Sequence, residues 1–274
     1  MVNLSTHFPI HQDATAQQWD VKSGKTAYIP AGKVTGNGYF PGMMKFDGST
    51  GYYSHSAFST SGNGVTIIAK FNRAVFSGGT LEALCRIDGP SNKIRGRIEL
   101  VSSDYATPAL RNTVLVQTQN SAATSICLLL SPVGYLDEED HTVFYTFNGD
   151  TGIATFQIDG IDADDTGNTS RVAPTVGVLE GGASSKFSVG ANITGGNKHS
   201  GRIGFCGASN AFGLNWSNFM HPDGTPKPLD ETTWSQWGGV QPLFWHEAGK
   251  MDENKGSAGA MTKNGTITLA SALA

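Results

Sequence analysis

Residues 141–160, HTVFYTFNGDTGIATFQIDG, constrain the fold of this chain more than any other stretch. Two runs of β-branched and aromatic residues flank five residues that are almost all turn formers, which predicts a β-hairpin with a longer loop. Alternation along the first arm puts Phe144 on one face and, on the other, Val143, Tyr145 and Phe147. Because both faces carry apolar side chains, we expect a central hairpin in a sandwich, with Phe144 and Phe156 in the core.

Short strand candidates continue on both sides of this hairpin, separated by turn sequences such as GNG and DGPSN. No stretch has a convincing helical period, and the spacing of the strands excludes alternating βαβ units. The sequence therefore predicts an all-β fold with two antiparallel sheets. The strands predicted outside the hairpin are residues 51–54, 65–71, 81–87, 93–102, 113–117, 125–130, 186–191 and 201–207.

Four turn-rich motifs occur in a recognisable order along residues 40–210. They are FDGSTGY at 46–52, the hairpin itself, FSVG at 187–190 and GRIG at 201–204. In this order they resemble the concanavalin A-like (laminin-G-like) jelly-roll modules. The resemblance implies a two-sheet jelly-roll sandwich, and such modules often hold a calcium ion at the rim of the sandwich.

The chain divides into three predicted parts. Residues 1–40 have no sustained period and several Pro and Gly breaks, so we expect an irregular N-terminal arm; residues 41–210 form the sandwich. Residues 211–274 hold four of the five tryptophans and many prolines and glycines, which predicts a C-terminal extension packed on the sandwich. Its last part, from Trp245, resembles the Gly-rich C-terminal ends of laminin-G-like proteins encoded by tailed bacteriophages.

Charge and cysteine content exclude several classes. The net charge of −4 supplies no basic footprint for nucleic acid. The N-terminal residues lack the pattern of a signal peptide, and no apolar run is long enough for a membrane span, so we expect synthesis in a host cytoplasm and no membrane insertion. Three cysteines, an odd number without metal-type spacing, are expected to be buried free thiols: Cys85, Cys127 and Cys206.

The sequence offers no catalytic motif. Many enzymes of this fold carry Glu-x-Asp-x-x-Glu on one strand, which places the carboxylates on one face at the spacing of a nucleophile and an acid. The nearest acidic run, residues 137–140, is contiguous, so its side chains alternate in direction. We therefore predict a protein that is not an enzyme. Were it to hydrolyse glycans, the first residues to test would be Glu82, Glu99 and Asp159.

Two binding sites are candidates. Carboxylates just after the hairpin are hard oxygen ligands that suit calcium, the only cofactor that the sequence suggests. An acidic loop is more often only solvated. The candidate ligands are Asp159, Asp162, Asp164 and Asp165. Exposed aromatic rings beside polar side chains suit a sugar, although such tryptophans more often pin an extension onto a sandwich or form a protein interface. The candidates for carbohydrate binding are Trp234, Trp237, Trp245, Asn215 and Asp223.

Three functions from different classes stay open. The first is a bacteriophage virion protein, exposed on the particle as a capsid decoration or tail-fibre knob, with the jelly roll binding a host surface glycan. The arm of residues 1–40 would bind other virion proteins, because an arm with little apolar surface gains order against neighbours; the alternative is that it wraps its own domain. We also expect a homo-oligomer. The alternatives are a bacterial carbohydrate-binding lectin module and a polysaccharide-degrading enzyme.

Overall fold

The fold was obtained as a computed structural model. It describes residues 43–221, 244–247, 252–254 and 256–269, and the backbone of residues 26–29 and 32–35. Within these residues the chain is all-β, with one short α-helix, α1 (Trp216–Phe219), and a 3-10 turn at Pro108–Leu110. The N-terminal part contributes a separate two-stranded antiparallel sheet, β1 (Thr26–Ile29) with β2 (Gly32–Thr35).

Two larger antiparallel sheets form the body of the protein. In the first sheet, the order is β12-β11-β10-β5-β14-β3-β17, with β15 pairing the remaining part of β14. Its strands are β3 (Met44–Phe46), β5 (Gly64–Ala74), β10 (Asp137–Asn148), β11 (Ile153–Ile158), β12 (Ile161–Asp162), β14 (Arg202–Ser209), β15 (Phe244–Glu247) and β17 (Ile267–Leu269).

The second sheet has the order β16-β4-β13-β6-β7-β8-β9. Its strands are β4 (Tyr52–Thr60), β6 (Leu81–Asp88), β7 (Ile94–Val101), β8 (Val114–Gln119), β9 (Ser125–Leu130), β13 (Gly182–Val189) and β16 (Thr262–Asn264). Each stretch predicted as a strand from the sequence lies on one of the strands of the two sheets. The predicted fold class, an all-β jelly-roll sandwich of two antiparallel sheets, is confirmed.

The hairpin that the sequence predicts is the β10–β11 pair. Asn148 lies opposite Ile153 at its turn, and β10 pairs along its other side with β5. The two arms are therefore internal strands, since β11 is covered at its outer side by the two-residue β12. Phe144 and Phe156 are both buried, as predicted.

The two faces of β10 pack against different layers. Val143, Tyr145 and Phe147 lie in the core between the sheets, where the Tyr145 hydroxyl and Thr118 Oγ1 are 2.7 Å apart. Phe144 points to the outer face of the first sheet, into a smaller apolar cluster under residues 211–220. The apolar character of both faces thus follows from two separate cores, as a covered sheet requires.

The C-terminal region is more than an extension packed on the sandwich, and this corrects the prediction for residues 211–274. Three of its segments are strands within the sheets: β15 pairs β14, β16 pairs β4, and β17 pairs β3. These strands are three or four residues long, too short for alternation to show in the sequence. They complete the sandwich because the edges of β3 and β4 would otherwise leave backbone groups unpaired.

The N-terminal region also differs from a fully irregular arm. Residues 26–29 and 32–35 pair as β1 and β2, from Thr26 opposite Thr35 to Ile29 opposite Gly32. The rest of the predicted arm lies outside the described residues. Four-residue strands again carry too little pattern to be recognised in a sequence rich in Pro and Gly breaks.

The cysteine prediction is confirmed, because Cys85, Cys127 and Cys206 are buried free thiols. Burial raises the pKa of the Cys127 thiol to about 12, so it stays protonated and weakly nucleophilic near neutral pH. Within the described part of the chain, no helix has the length and apolar character needed to cross a bilayer.

Candidate functional site

The structure places only part of the predicted carbohydrate site. Trp234, Trp237 and Asp223 lie outside the described residues. Trp245 lies in β15, opposite Gly207 of β14. Asn215 is the residue before α1, and it lines a cavity of about 240 Å³ on the outer face of the first sheet.

This cavity, the Phe212 cleft, lies between the β10–β11 hairpin and the segment that leads to α1. Its rim carries two exposed apolar side chains, since 46% of Phe212 and 66% of Ile153 are accessible to solvent. Its remaining lining is uncharged and, apart from one leucine, small or polar; it consists of Thr146, Asn148, Thr151, Thr155, Gly213, Leu214 and Asn215. None of the nine residues is ionisable, so the cleft suits an uncharged ligand.

Two glycines set the position of the Phe212 ring. A Cβ at Gly64 would lie 2.4 Å from Phe212 Cδ1, so only glycine at the start of β5 leaves room for the ring. Gly213 has a φ of +81°, which turns the chain directly after Phe212 at no steric cost. The segment is anchored beside the ring, where the Thr66 hydroxyl donates to the Ala211 carbonyl over 2.7 Å.

The polar floor of the cleft comes from the hairpin. Thr146 and Thr155 are direct cross-strand neighbours, as are Asn148 and Ile153, so all four side chains are on the outer face. The Thr146 hydroxyl is engaged within the sheet, 2.9 Å from Thr66 Oγ1. The Thr155 hydroxyl has no hydrogen-bond partner in the described part of the chain. It is therefore available to a ligand in the cleft.

Sequence reasoning missed Phe212, although a signal was present. The residue stands in SNAFGLN, a short segment of polar and small residues where a lone phenylalanine beside a turn-forming glycine has little to bury against. Tryptophans drew the prediction toward residues 234–245 instead. Asn215 is the predicted residue that the structure places beside an exposed aromatic ring.

The four aspartates predicted to bind calcium do not converge. Asp164 forms a bidentate ion pair with Arg171, with closest N–O distances of 2.8 and 2.6 Å. Asp159 accepts from the Thr142 backbone amide at 2.8 Å and contacts His141 Nδ1 at 2.6 Å. Asp162 and Asp165 each accept a backbone amide two residues ahead. Among the described residues, no three His, Cys, Asp or Glu side chains are grouped so that they could hold a metal ion.

The strand carboxylates that sequence reasoning named for a hydrolase are held in ion pairs. Glu82 binds Arg73 at 2.7 Å and His199 Nδ1 at 3.0 Å. Burial raises the pKa of Glu82, but the hydrogen bonds with His199 and Arg73 outweigh it and leave the pKa below its usual value. A general acid needs a raised pKa instead. Glu99 is fully buried against Arg97, with a closest N–O distance of 2.6 Å.

One carboxyl group does have a raised pKa. Burial raises the pKa of Asp88 to about 6, against the opposing effect of Arg86, which contacts it at 2.8 Å. Asp88 is fully buried in the second sheet, however, so it is out of reach of a substrate. An arginine thus pairs with each of the carboxylates of Glu82, Asp88, Glu99 and Asp164.

No family model and no curated protein matches the chain. Among solved structures, a heptameric SAP-like pentraxin from Limulus polyphemus has a TM-score of 0.46 and 10% identity, with 64% of this chain and 79% of that chain covered. A protein from Bacteroides ovatus with a proposed carbohydrate-binding role has a TM-score of 0.49 and 13% identity, covering 83% of this chain and 61% of that one.

The LG1-3 region of the laminin α2 chain is a third similar structure. Its TM-score is 0.43 and its identity 15%, with 78% of this chain and 36% of that chain covered. The present chain thus spans less than two thirds of the Bacteroides and laminin structures. Its similarities are to a pentraxin, a protein with a proposed carbohydrate-binding role and laminin G domains.

Proposed function

We propose that this protein binds an uncharged saccharide in the Phe212 cleft and does not cleave it. The observation that carries the proposal is a phenylalanine ring, 46% exposed, at the rim of a 240 Å³ cavity without any ionisable group. A pyranose has one apolar face that packs on such a ring, while its hydroxyl groups need hydrogen-bond partners beside it.

The polar groups of the cleft supply those partners. Thr155 presents a free hydroxyl, and the Asn148 side-chain oxygen accepts only the Asp150 amide at 2.9 Å. The Asn148 amide nitrogen is therefore a free donor among the described contacts. Ile153 extends the apolar rim opposite the ring. A neutral sugar matches this combination of one stacking surface and several uncharged donors and acceptors better than a charged ligand does.

Substitution of Phe212 by Ala tests the proposal. We expect the wild-type protein to bind one or more glycans on an array of neutral glycans. The variant should bind the tightest of these ligands roughly tenfold more weakly, because the stacking surface is lost. The affinity should be measured by isothermal titration calorimetry. Since Phe212 is half exposed, the unfolding temperature should stay close to that of the wild type.

Val133 provides a matched control, because it is 69% exposed and does not line the cleft. Substitution of Val133 by Ala should leave glycan affinity unchanged. Equal affinity of the Phe212 variant and the wild type would refute the cleft as the site, and absence of any neutral-glycan binding would refute the function. Release of reducing ends from β-glucans, agars or chitins would contradict binding without cleavage.

The setting that we propose for this binding is the surface of a tailed-bacteriophage particle. The support is the resemblance of the segment from Trp245 onward to C-terminal ends of phage laminin-G-like proteins. Electron microscopy of purified particles labelled with an antibody against this chain would test it. Label on capsid, tail or fibre is the expected result, and unlabelled particles would contradict it.

A further inference from the structure

A row of polar side chains crosses the outer face of the first sheet at the opposite end of β5 from the Phe212 cleft. Strand register places Lys45 of β3 directly opposite Arg202 of β14, and Arg202 directly opposite Asn72 of β5. Thr66, beside the cleft, and Asn72 are six residues apart on one strand, a distance of roughly 20 Å. The row of polar side chains is therefore a separate surface from the Phe212 cleft.

Lys45 and Arg202 are like charges at directly opposite positions of neighbouring strands. Side chains in such positions have Cβ atoms about 5 Å apart, and like charges there destabilise the sheet. Neither cation has an ion pair or hydrogen-bonded side-chain partner within the described part of the chain. Asp140 is two strands from Arg202, roughly 10 Å away, and it already binds Lys70 at 3.1 Å.

The two cations open onto a cavity of about 320 Å³, here called the cationic cavity. Its lining comprises Lys45, Phe46, Asn72, Arg73, Ala74, Glu138, Ser200, Gly201 and Arg202. The charge of Arg73 is balanced by its bidentate contact with Glu82, at 3.0 and 2.7 Å. The unbalanced charge facing the cavity therefore comes from Lys45 and Arg202, against one carboxylate, Glu138.

Glu138 lines this cavity and has an unusual backbone conformation. It lies in a β-bulge of β10, where the register with β5 shifts, and its φ is +71°, a left-handed value for a residue with a side chain. Bulges re-aim side chains, and strained backbone of this kind often lies at binding sites. The Glu138 carbonyl accepts from the Asn72 side chain, which fixes the bulge against β5.

Two further polar groups of the cationic cavity are the side-chain oxygen of Asn72, which accepts hydrogen bonds, and the hydroxyl of Ser200. The two amide hydrogens of Asn72 are used by Glu138 and Asp140, so its side-chain oxygen stays free to accept. The Ser200 hydroxyl has no partner in the described residues. The cavity thus combines two free cations with a carboxylate and an amide oxygen, which accept hydrogen bonds from hydroxyl groups.

We infer that the cationic cavity binds an acidic monosaccharide unit, whose carboxylate lies between Lys45 and Arg202 while its hydroxyl groups donate to Glu138 and Asn72. A cavity of this volume is at the lower end of small-molecule sites, which suits one sugar ring. Inorganic sulfate would meet the cations but has no hydroxyl group to donate to Glu138 and Asn72. A neutral sugar would leave the two cations unbalanced.

Binding of free uronic acids to the full chain tests this inference. We expect D-galacturonate, D-glucuronate or D-mannuronate to bind in isothermal titration calorimetry, and the affinity to fall as salt is added. Substitution of Arg202 by Gln or of Lys45 by Gln should weaken the bound uronate by about tenfold or more, because a charge-assisted hydrogen bond is lost. Inorganic sulfate and D-galactose should bind more weakly than the uronate.

The control variant is Lys93→Gln, a half-exposed cation in the turn before β7 on the second sheet, which should bind uronate like the wild type. Without ligand, the Lys45 and Arg202 variants should unfold at the same temperature as the wild type or higher, because like-charge repulsion is relieved. Phe212→Ala should leave uronate affinity unchanged, so this test is independent of the neutral-glycan test. Wild-type protein that binds no uronate, unaltered affinity in both variants, or equal affinity for sulfate would each overturn the inference.

Discussion

Phe144 joins the first sheet to the layer outside it. Its side chain is fully buried, with its ring centroid 6.0 Å from that of Phe219 in α1. Substitution by Ala should lower the free energy of unfolding by about 3–5 kcal/mol, the range for a buried Phe. Chemical denaturation measures this, with Val133→Ala as an exposed control expected within about 0.5 kcal/mol of wild type. An unchanged denaturation midpoint for the Phe144 variant would contradict the packing described.

His141 makes stability depend on pH. It contacts Asp159 Oδ2 at 2.6 Å and Asp137 Oδ1 at 3.0 Å. Burial lowers the pKa of His141, but these two carboxylates outweigh it and leave the pKa above 6.5. The folded state favours the charged ring. The stabilisation that His141 gives to the folded protein is therefore complete below pH 6.5 and is lost as pH rises through its folded pKa.

Substitution of His141 by Asn isolates this effect. We expect the wild type to be more stable than the variant near about pH 6, and the difference to shrink toward about pH 9 as the ring loses its charge. Thermal unfolding across this range measures it. Burial lowers the pKa of His55, so this residue also makes stability depend on pH below pH 6.5. Because His55 is present in both proteins, its effect cancels in the comparison. A difference that does not vary with pH would contradict the charge assignment.

At the scale of elements, β16 and β17 close one edge of the sandwich. Residues 262–269 pair with both sheets, because β16 adds to β4 of the second sheet and β17 to β3 of the first. Ile267 is buried in the central core, whereas Leu269, two residues later, is 57% exposed. Substitution of Ile267 by Ala should therefore lower the free energy of unfolding by about 2–5 kcal/mol.

Leu269→Ala is the matched control on the same strand, and its effect should stay within about 0.5 kcal/mol. Denaturant unfolding of both variants measures the contrast. Equal, small effects at the two positions would show that β17 does not contribute to the core. Equal, large effects would show that Leu269 is buried as well, contrary to its exposure in the structure.

For the whole molecule, both sheets are built from residues 44–269, and β1 and β2 pair with each other. A chain lacking Met1–Gly38 should therefore remain folded, with an unfolding temperature close to that of the full chain. If residues 1–40 bind other virion proteins, the truncated chain should be absent from particles. Mass spectrometry of purified particles measures this. Unfolding on truncation would place the arm in the core, and normal incorporation would contradict its role as a tether.

The sequence by itself determined where the principal strands lie and which of their side chains are buried. Alternation and turn residues act within a few positions of one another, so the hairpin, Phe144, Phe156 and the buried cysteines could be predicted from local pattern. The short strands of the C-terminal region could not, because three residues carry no recognisable period and their position depends on the unpaired edges of β3 and β4.

Only the tertiary structure decided which distant segments meet. Lys45 and Arg202 become neighbours because β3 pairs with β14, and Phe212 lies beside Thr155 because residues 210–215 cross the outer face of the hairpin. No local signal specifies such contacts, since strand partners are selected by the burial of whole faces rather than by adjacent residues. The sequence indicated a sandwich and an aromatic sugar site, and the pairing of its strands decided where each cavity lies.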